Sequence, residues 1–512
     1  MIVSPSAHHP VRRTKRPAGN NDVSRCHCAA TDLELRPNDH ELIRNSTGSC
    51  TPKSVGSNII SRSPSGVDIT PSGQRTSTHV STLHRIARRG PLRHRDFRLL
   101  LGGAAVSQVG AQVALVALPL VAVVSLKASA FEVGLLTAAE TAAFLLVGLP
   151  AGAWVDRMRR LPILIRADLV RAAVMATVPL AAVAGVLTMA QLYAVALITG
   201  FATVFFDVSH QSYLPRLLRR DQLVTGNGAL ETARSVAQVT GPGLGGWLVQ
   251  ILGAPLAVLV DALGYLASAL FLWGIRTREP QPEPMPGVTL RTQVAEGIAF
   301  VARHEILRMI AVATGVANFF TAMLVSVQTV FVVRVLELPP AALGLLLSAA
   351  AVGGLAGALC AGAVARMLGQ ARVIWLSPVV TGPFALLWPL AGHGAAAAWF
   401  ALGSGVVFFG AVVYNVAQVS FRQLLCPDEL LGRVNATLRF MIWGTMPLGA
   451  LAGGAIAGTA GPRTAVWVCA IGVLIMPVPL LLSPLRRLRD LPDPAADADR
   501  TTRSSRQASS PL

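Results

Sequence analysis

The sequence predicts an all-α polytopic membrane protein with twelve transmembrane helices arranged as two pseudo-symmetric six-helix bundles. Three observations lead to this prediction. Of the 512 residues, 53% are hydrophobic and 14% are charged, whereas about a quarter of the residues in a soluble domain are charged. Apolar runs of roughly twenty residues, long enough to cross a bilayer, recur along the chain. The two halves of the chain also repeat each other at a nearly constant offset.

The apolar runs define twelve predicted spans, six on each side of a polar segment that begins at Arg276. Each span is close to the length that a helix needs to cross the hydrocarbon core of a bilayer. The spans are Leu99–Leu126, Phe131–Val155, Ile163–Leu187, Gln191–Ser212, Gly228–Leu252, Pro255–Ile275, Ile306–Val335, Ala341–Ala365, Val373–Gly392, Ala396–Phe421, Thr437–Gly458 and Thr464–Leu482.

These spans predict five segments. A six-helix bundle over residues 96–275 and a second over 306–485 are joined by a cytoplasmic linker over 276–305, in which Thr289–His304 has the pattern of an amphipathic helix. Residues 1–95 and 486–512 are rich in polar and basic residues and predict disordered cytoplasmic tails. The first tail has two interpretations, a real tail or a translation start assigned too far upstream. No apolar run follows Met1, so we expect no secretory signal peptide.

The net charge of +18 is distributed unevenly along the chain. Basic residues concentrate in alternate gaps between the spans, which is the pattern of cytoplasmic loops. This pattern predicts a multi-pass protein of the cell inner (plasma) membrane with both termini in the cytoplasm. It also argues against a nucleic-acid partner, which would favour one basic patch on a folded domain. The basic gaps contain Arg157, Arg159, Arg160, Arg216, Arg219, Arg220, Arg276, Arg278, Arg291, Arg303, Arg366, Arg372, Arg422, Arg433, Arg486, Arg487 and Arg489.

The internal repeat is the most specific feature of the sequence. Gly152 corresponds to Gly362 (362 − 152 = 210), and Asp207 corresponds to Asn415 (415 − 207 = 208). A parallel repeat of two six-helix halves is typical of transporters whose substrate site lies between the halves. At the second offset, further matches pair Asp221 with Glu429, Asn227 with Asn435, and Gly241, Gly245 and Gly246 with Gly449, Gly453 and Gly454.

Two motifs carry a resemblance to a known family. The turn Gly152–Arg160 has a Gly, three residues, an Asp-Arg pair and a basic run, and it resembles the loop signature of the major facilitator superfamily. In the fifth span, Gly241, Pro242, Gly245 and Gly246 resemble a motif that is associated with antiporters of that superfamily. The resemblance covers Arg93 to Arg489 and is closest to the bacterial subgroup of macrolide-efflux and siderophore-exporter-like drug:proton antiporters.

The turn after the second span has two interpretations. Its arginines are explained by membrane topology alone, whereas the carboxylate of Asp156 is not. The resemblance implies a cytoplasmic gate of Gly152, Asp156, Arg157 and Arg160, in which Asp156 pairs with basic groups or a helix N-terminus in one state and releases them in the other. The second half has Arg366 where the first has Asp156, so we expect the gate to be one-sided. Asp207, about 24 Å below Gln191 along the fourth helix, is expected to meet Arg157 or Arg160.

Acidic residues inside the spans are the candidates for proton coupling. Glu140 lies roughly 14 Å from the outer end of its span, and a carboxylate at that depth usually faces protein or a water-filled cavity. Asp261 is the weaker candidate because the sixth helix is peripheral in the fold that the resemblance implies. The alternative for Glu140 is a neutral carboxyl group that bonds across helices. Glu231 and Arg234, three residues apart, are expected to form an ion pair along one helix face.

The expected function is secondary active efflux of an amphipathic small molecule by alternating access, coupled to protons. No nucleotide-binding loop is present, and we expect no enzymatic activity, cofactor or metal, and a monomer in the lipid bilayer. The alternatives are an importer or facilitator of the same fold and a non-cycling membrane sensor or scaffold. Polar residues that suit hydrogen bonds to the substrate, or equally helix packing, are Gln108, Gln112, Asn318, Gln328, Asn415 and Gln418.

Overall fold

The computed structural model of the protein describes residues 91–219, 222–277, 279, 298–426, 434 and 438–489. The predicted N-terminal tail up to residue 90, most of the linker and the C-terminal tail beyond residue 489 lie outside the described residues. Within the described ranges the secondary structure is helical, without strands. The end of the linker, residues 298–303, is helical and lies within the predicted amphipathic segment.

The first group of helices consists of α1 to α6. Each helix is separated from the next by a short turn, so that consecutive helices are antiparallel. Their bounds are α1 Arg95–Leu120, α2 Ala130–Asp156, α3 Arg160–Val183, α4 Met189–Leu217, α5 Leu223–Leu252 and α6 Ala254–Trp273.

The second group consists of α7 to α12. The predicted span Val373–Gly392 is interrupted, because Gly382 and Pro383 begin a 3₁₀ turn that ends at Leu386. A proline cannot supply the backbone hydrogen bond that would continue the helix. The bounds are α7 Glu305–Val330, α8 Pro340–Leu368, α9 Gln370–Thr381, α10 Ala398–Leu425, α11 Thr445–Ala460 and α12 Pro462–Ile475.

Ten of the described helical segments are long and apolar enough to cross a membrane. Helices α3 and α5 do not meet that criterion, for different reasons. Helix α3 carries Arg160, Arg166, Asp168 and Arg171, whereas α5 is rich in Gly, Thr and Gln and so has a low mean hydropathy. Both helices nevertheless pack against apolar neighbours on two sides, since α3 contacts α4 and α6, and α5 contacts α1 and α8. The protein is therefore an all-helical, multi-pass membrane protein.

The backbone repeats where the sequence repeats. Helix α1 is continued by a π-helical turn over Val121–Ser125, and α7 is continued by one over Phe331–Val335. Throughout the described part of the chain, the two non-glycine residues with a left-handed backbone are Lys127, with φ 53°, and Glu337, with φ 54°. Both comparisons give the offset of 210 residues that the sequence predicts (337 − 127 = 210). Bulky residues rarely adopt this conformation. Its presence at both sites shows that the two connections have the same backbone conformation.

The helices pack chiefly within each group. In the first group α1 contacts α5 and α6, α2 contacts α4, and α3 contacts α6. In the second group α8 contacts α10, and α7 contacts α11 and α12. Two extensive contacts join the groups, one between α5 and α8 and the other between α2 and α11. These two contacts define where the groups touch and where they separate.

Candidate functional site

The contact between α5 and α8 lies at the end of the helices away from the arginine-rich turn, hereafter the outer end. A Cβ atom on Gly246 of α5 would be 2.6 Å from the Pro340 carbonyl oxygen and 3.0 Å from Gly344 Cα. The Gly243 N–H donates a hydrogen bond of 2.9 Å to the Ser348 hydroxyl. Small residues therefore allow the two backbones to approach to within contact.

The other glycines of the fifth-helix motif face α1. A Cβ atom on Gly241 would clash with the Gln112 side chain, and one on Gly245 would be 3.0 Å from Val113 Cα. Gly241 and Gly245 thus fit α5 against α1 within the first group, while Gly246 fits it against the second group. The motif holds one helix between two neighbours.

The contact between α2 and α11 is also closest at the outer end. A Cβ atom on Gly134 would be 2.7 Å from Gly454 Cα. Further along, the rings of Phe144 and Trp443 lie 4.6 Å apart. Beyond them, towards the arginine-rich turn, a Cβ atom on Gly148 or Gly152 would meet no atom within 4 Å. Among the described residues, the contact between the groups therefore ends about halfway along α2.

An arginine joins the two groups at the outer end. The Arg334 guanidinium, in the π-helical turn after α7, donates hydrogen bonds to the carbonyl oxygens of Ala128 (2.6 Å) and Val123 (3.4 Å) in the connection between α1 and α2. The equivalent position of the first half is Val124 (334 − 124 = 210), which has no such group. The second group therefore bonds to the first through Arg334, and Val124 cannot make the reciprocal bond.

At the opposite end, which we call the arginine end, the predicted gate residues lie in or beside the turn between α2 and α3 of the first group. Arg157 caps the C-terminus of α2 and is exposed. Trp154 stacks on Phe205 of α4, with ring centroids 6.1 Å apart, so the end of α2 rests on its own group. The placement of the Asp156 side chain lies outside what the structure describes, and its role in the gate stays a prediction.

Arg160 is held by an acidic residue that the sequence analysis did not single out. The buried Glu279 carboxylate, just after α6, accepts hydrogen bonds from the backbone N–H groups of Arg160 (2.6 Å) and Leu161 (3.3 Å). It also pairs with the side chains of Arg160 (3.2 Å) and Arg216 (3.5 Å). A carboxylate at a helix N-terminus satisfies free N–H groups and offsets the positive end of the helix dipole. Glu279 thus fixes α3 and α4 to the start of the linker.

The prediction for Asp207 is wrong in its partners. Asp207 lies half-buried on α4, and the cations that interact with it electrostatically are Arg171, Arg439 and Arg234 rather than Arg157 or Arg160. The reason is that α4 continues to Leu217, so the side chain that reaches Glu279 at the arginine end is Arg216. Asp207 lies about two and a half turns further into the helix.

A charged cluster is buried inside the first group. Arg171 of α3, only 4% exposed, forms an ion pair with Asp168 one turn earlier. Its guanidinium lies between two aromatic rings, 4.2 Å from the centroids of Phe206 on α4 and Tyr265 on α6. Such cation–π contacts stabilise a cation most where water is excluded. Three helices therefore hold this arginine in place.

Both predicted proton-coupling candidates interact electrostatically with this cluster. Asp261 is fully buried on α6, and Glu140 and Arg171 are close enough for their charges to act on it. Helix α6 packs on α1, α3 and α5 of its own group, and Asp261 lies on its buried side against Gly110 of α1. The ranking of Asp261 below Glu140 stays a prediction. Glu140 is exposed at the crossing of α2 and α4, where a Cβ atom on Gly200 would be 2.5 Å from its carbonyl oxygen.

A polar face of α5 is open to solvent. Glu231 and Arg234 are both exposed but form no ion pair with each other, contrary to the prediction. With Asn227 and Gln238 they follow a spacing of three to four residues and share one side of the helix. An exposed polar face does not suit contact with lipid.

The other cavity candidates are dispersed. Gln112 packs beneath Gly241, Gln108 is half-buried, and Asn318 donates to the Thr314 carbonyl at 2.9 Å. Gln328 is only 8% exposed, and among these residues Asn415 alone is exposed. Gln418 is buried and donates to Asn415 Oδ1 at 2.9 Å. Among the described residues, no group of His, Cys, Asp or Glu side chains is arranged to hold a metal ion.

Comparison with known proteins identifies the family. The model of the major facilitator superfamily matches residues 100–445, from the first turn of α1 to the first residue of α11. The chain belongs to the major facilitator superfamily. The match covers the first group of helices and α7 to α10 of the second group, and it includes the contact between α5 and α8.

Sequence relatives and solved structures agree with this assignment. The multidrug efflux pump Tap of Mycolicibacterium fortuitum is 27% identical over 420 residues, which cover 79% of this chain and 98% of the relative. Tap of Mycobacterium tuberculosis (strain ATCC 25618 / H37Rv) is 27% identical over 426 residues. A bacterial homologue of the iron transporter ferroportin, in an inward-facing state, has a TM-score of 0.63 at 16% identity and covers 77% of this chain and 99% of its own. The nucleoside transporter NupG has a TM-score of 0.58 at 13% identity, with 75% and 98% coverage. These two structures show a common fold.

Sequence reasoning missed three residues of this superfamily member: Glu279, Arg171 and Arg334. The sequence held a signal for one of them, since Asp168 and Arg171 stand three residues apart in an otherwise apolar span and charged residues there are usually paired. Glu279 lies 119 residues from Arg160, and nothing in the local sequence indicates that contact. Arg334 stands at the end of a predicted span, and nothing in the local sequence indicates its contact with the Ala128 carbonyl oxygen.

Proposed function

We propose that the protein is a secondary active exporter of an amphipathic small molecule, working by alternating access and coupled to protons. Twelve spans, including the polar α3 and the glycine-rich α5, would place the basic turns and both termini in the cytoplasm. The arginine end is then the cytoplasmic end. We also propose that the protein is a monomer of two six-helix bundles in the cell inner membrane.

One observation supports alternating access above the others. The groups touch through glycines and Arg334 at the outer end, whereas Gly148 and Gly152 face open space at the arginine end. In the proposed orientation this is an inward-open conformation. The polar face of α5, with Glu231 and Arg234, would line the cavity that is open to the cytoplasm. Closing that end around a substrate and opening the other would complete one transport step.

The direction and the substrate class rest on the relatives. Tap is named as a multidrug efflux pump, and the alignment covers nearly its whole length. The proposed cavity would offer the polar face of α5 to an amphipathic compound, whose binding requires polar as well as apolar groups. Proton coupling rests on Glu140 and Asp261, the acidic residues within the spans that the sequence analysis put forward. In the latch that we propose for the outward-open state, Asp156 would bind basic groups at the arginine end.

Accumulation of ethidium and of a macrolide in cells with and without the protein tests this function. We expect cells that express it to accumulate less of at least one compound, and a protonophore to abolish the difference. Glu140→Gln should lose the effect, whereas Glu305→Gln, an exposed glutamate at the start of α7, should retain it. Equal accumulation for both compounds would argue against efflux. Everted vesicles with a pH-sensitive dye separate an exporter from an importer or facilitator, since only a proton antiporter releases protons from the vesicle lumen when the compound enters it.

A further inference from the structure

A buried cluster inside the first group contains Asp168, Arg171, Asp261 and Tyr265. Helix packing alone does not require charged residues there. We propose that this cluster is the proton-binding site of the transporter, in which Asp261 carries the proton and Arg171, held by Asp168, is the positioning residue that controls its release. This inference rests on the proposed proton-coupled function and names the site of the coupling.

The surroundings of Asp261 point to a bound proton. Its side chain is fully buried, and neither carboxylate oxygen has a hydrogen-bond partner among the residues that the structure describes. The neighbouring helix α1 presents Gly110, on which a Cβ atom would lie 3.0 Å from Asp261 Oδ1. An ionised carboxylate without donors is strongly disfavoured in such a place, whereas a protonated one is tolerated. Gly110 leaves space for the carboxyl group but supplies no charge and no side-chain donor.

Arg171 is placed to compensate the charge that appears when Asp261 loses its proton. In the part of the chain that the structure describes, it is the one cation whose charge acts on Asp261, while Asp168 and Glu140 act with the opposite sign. Tyr265, one turn further along α6, faces the same groups. The guanidinium is already held by Asp168 and by the rings of Phe206 and Tyr265. A small shift of α3 against α6 would therefore change the electrostatic field at Asp261 without breaking the fold.

The cluster interacts with an exposed acidic residue of α2. Glu140 on α2 is exposed and within electrostatic range of Asp261. Arg171 also acts on Asp207 and His210 of α4. A proton that leaves Asp261 can be accepted by the Glu140 carboxylate and then by water, so the step needs no other reactant. Movement of α2 or α4 during the transport cycle would be felt at Asp261 through these charges.

Infrared spectroscopy of the purified protein tests the proton site without any transport measurement. The C=O stretching band of a protonated carboxyl group is followed as the pH is raised from acidic to alkaline values. We expect a band that persists at neutral pH in the wild type and in Glu305→Gln and is missing in Asp261→Asn. The asparagine has the shape of a protonated aspartate, so this variant should fold, which gel filtration checks. A wild-type band at neutral pH that Asp261→Asn leaves unchanged would overturn the proposal.

The role of Arg171 is tested by the same titration. Arg171→Gln removes the compensating cation, so the band should persist to higher pH than in the wild type. Arg171→Lys keeps the charge but not the planar group between two rings. The pH at which its band disappears should lie between those of the wild type and Arg171→Gln. If both variants titrate like the wild type, Arg171 has only a packing role and this part of the proposal fails.

A transport arm separates the failure of this inference from the failure of the proposed function. In proteoliposomes, wild-type protein should drive uphill ethidium transport with a pH gradient, and Asp261→Asn should lose it but retain ethidium exchange without a gradient. If the wild type transports no ethidium in either assay, efflux of this compound fails while the infrared result still stands on its own. If Asp261→Asn drives uphill transport as well as the wild type, the proton site lies elsewhere.

Discussion

At the scale of single residues, Glu279 shows how one carboxylate can organise the arginine end. It accepts two backbone N–H groups at the start of α3 and pairs with arginines from α3 and α4. Its side chain is only 3% exposed, whereas that of Arg216 is 35% exposed. The bonds to the helix N-terminus and to the buried Arg160 therefore matter more than the bond to Arg216, which water screens.

Replacing Glu279 by glutamine should destabilise the protein. The amide keeps the size of the side chain but loses the charge that Arg160 and the α3 N-terminus require. We expect a loss of about 1–3 kcal/mol, the range for hydrogen bonds that involve a charged group, and a lower thermal unfolding midpoint in detergent. Glu305→Gln, which removes an exposed glutamate, should change the midpoint much less. Equal midpoints for the two variants would show that the arginine end does not depend on Glu279.

At the scale of elements, the glycines of α2 divide the helix into a part that touches the second group and a part that does not. Gly134 contacts Gly454 closely, whereas Gly148, four turns further along, faces open space. A larger side chain should therefore be unfavourable at Gly134 and acceptable at Gly148, although both positions are glycines of one helix. Overpacking a tight contact commonly costs about 1–3 kcal/mol, and a leucine at an open site has no such cost.

Gly134→Leu should force α2 away from α11 at the outer end, and Gly148→Leu should leave that contact intact. A cysteine placed at Ala130, which is buried in this contact, reports the difference through a membrane-impermeant thiol reagent. We expect faster labelling with Gly134→Leu and wild-type labelling with Gly148→Leu. The native cysteines provide the background, measured without the added cysteine. Faster labelling by both leucine variants would mean that labelling reports general loosening rather than this contact.

The elements were predictable from the sequence to different degrees. Spans and repeat followed from the apolar runs and the constant offset, because the bilayer fixes helix length and both halves solve the same packing problem. The polar contacts were not predictable in the same way. Asp207 was assigned to Arg157 or Arg160 from helix geometry alone, yet its neighbours Arg171 and Arg439 come from two other helices. The local sequence pattern does not show which helices pack against each other, because that depends on the tertiary structure.

At the scale of the whole molecule, the two groups of helices are joined asymmetrically. Glycine contacts close the outer end on both sides, and Arg334 adds hydrogen bonds from the second group to carbonyl oxygens of the first. The glycine contacts favour the present conformation only if they are broken in the other one. Alternating access would require this separation, so the outer contacts contribute to the free-energy difference between the two conformations.

Arg334→Gln should therefore shift the conformational equilibrium towards the state that is open at the outer end. One hydrogen bond from an exposed arginine contributes about 1 kcal/mol, which changes a population ratio roughly fivefold. Spin labels at Lys127 and Glu337, exposed residues in equivalent outer turns, report the separation of the groups by pulsed dipolar spectroscopy. Arg463 is the matched control, since it donates to the Ala391 carbonyl at 3.1 Å within its own group. We expect Arg334→Gln to increase the long-distance population and Arg463→Gln to leave it unchanged. An increase with both variants would assign the effect to loss of outer positive charge, because the contact between the groups is made by Arg334 and not by Arg463.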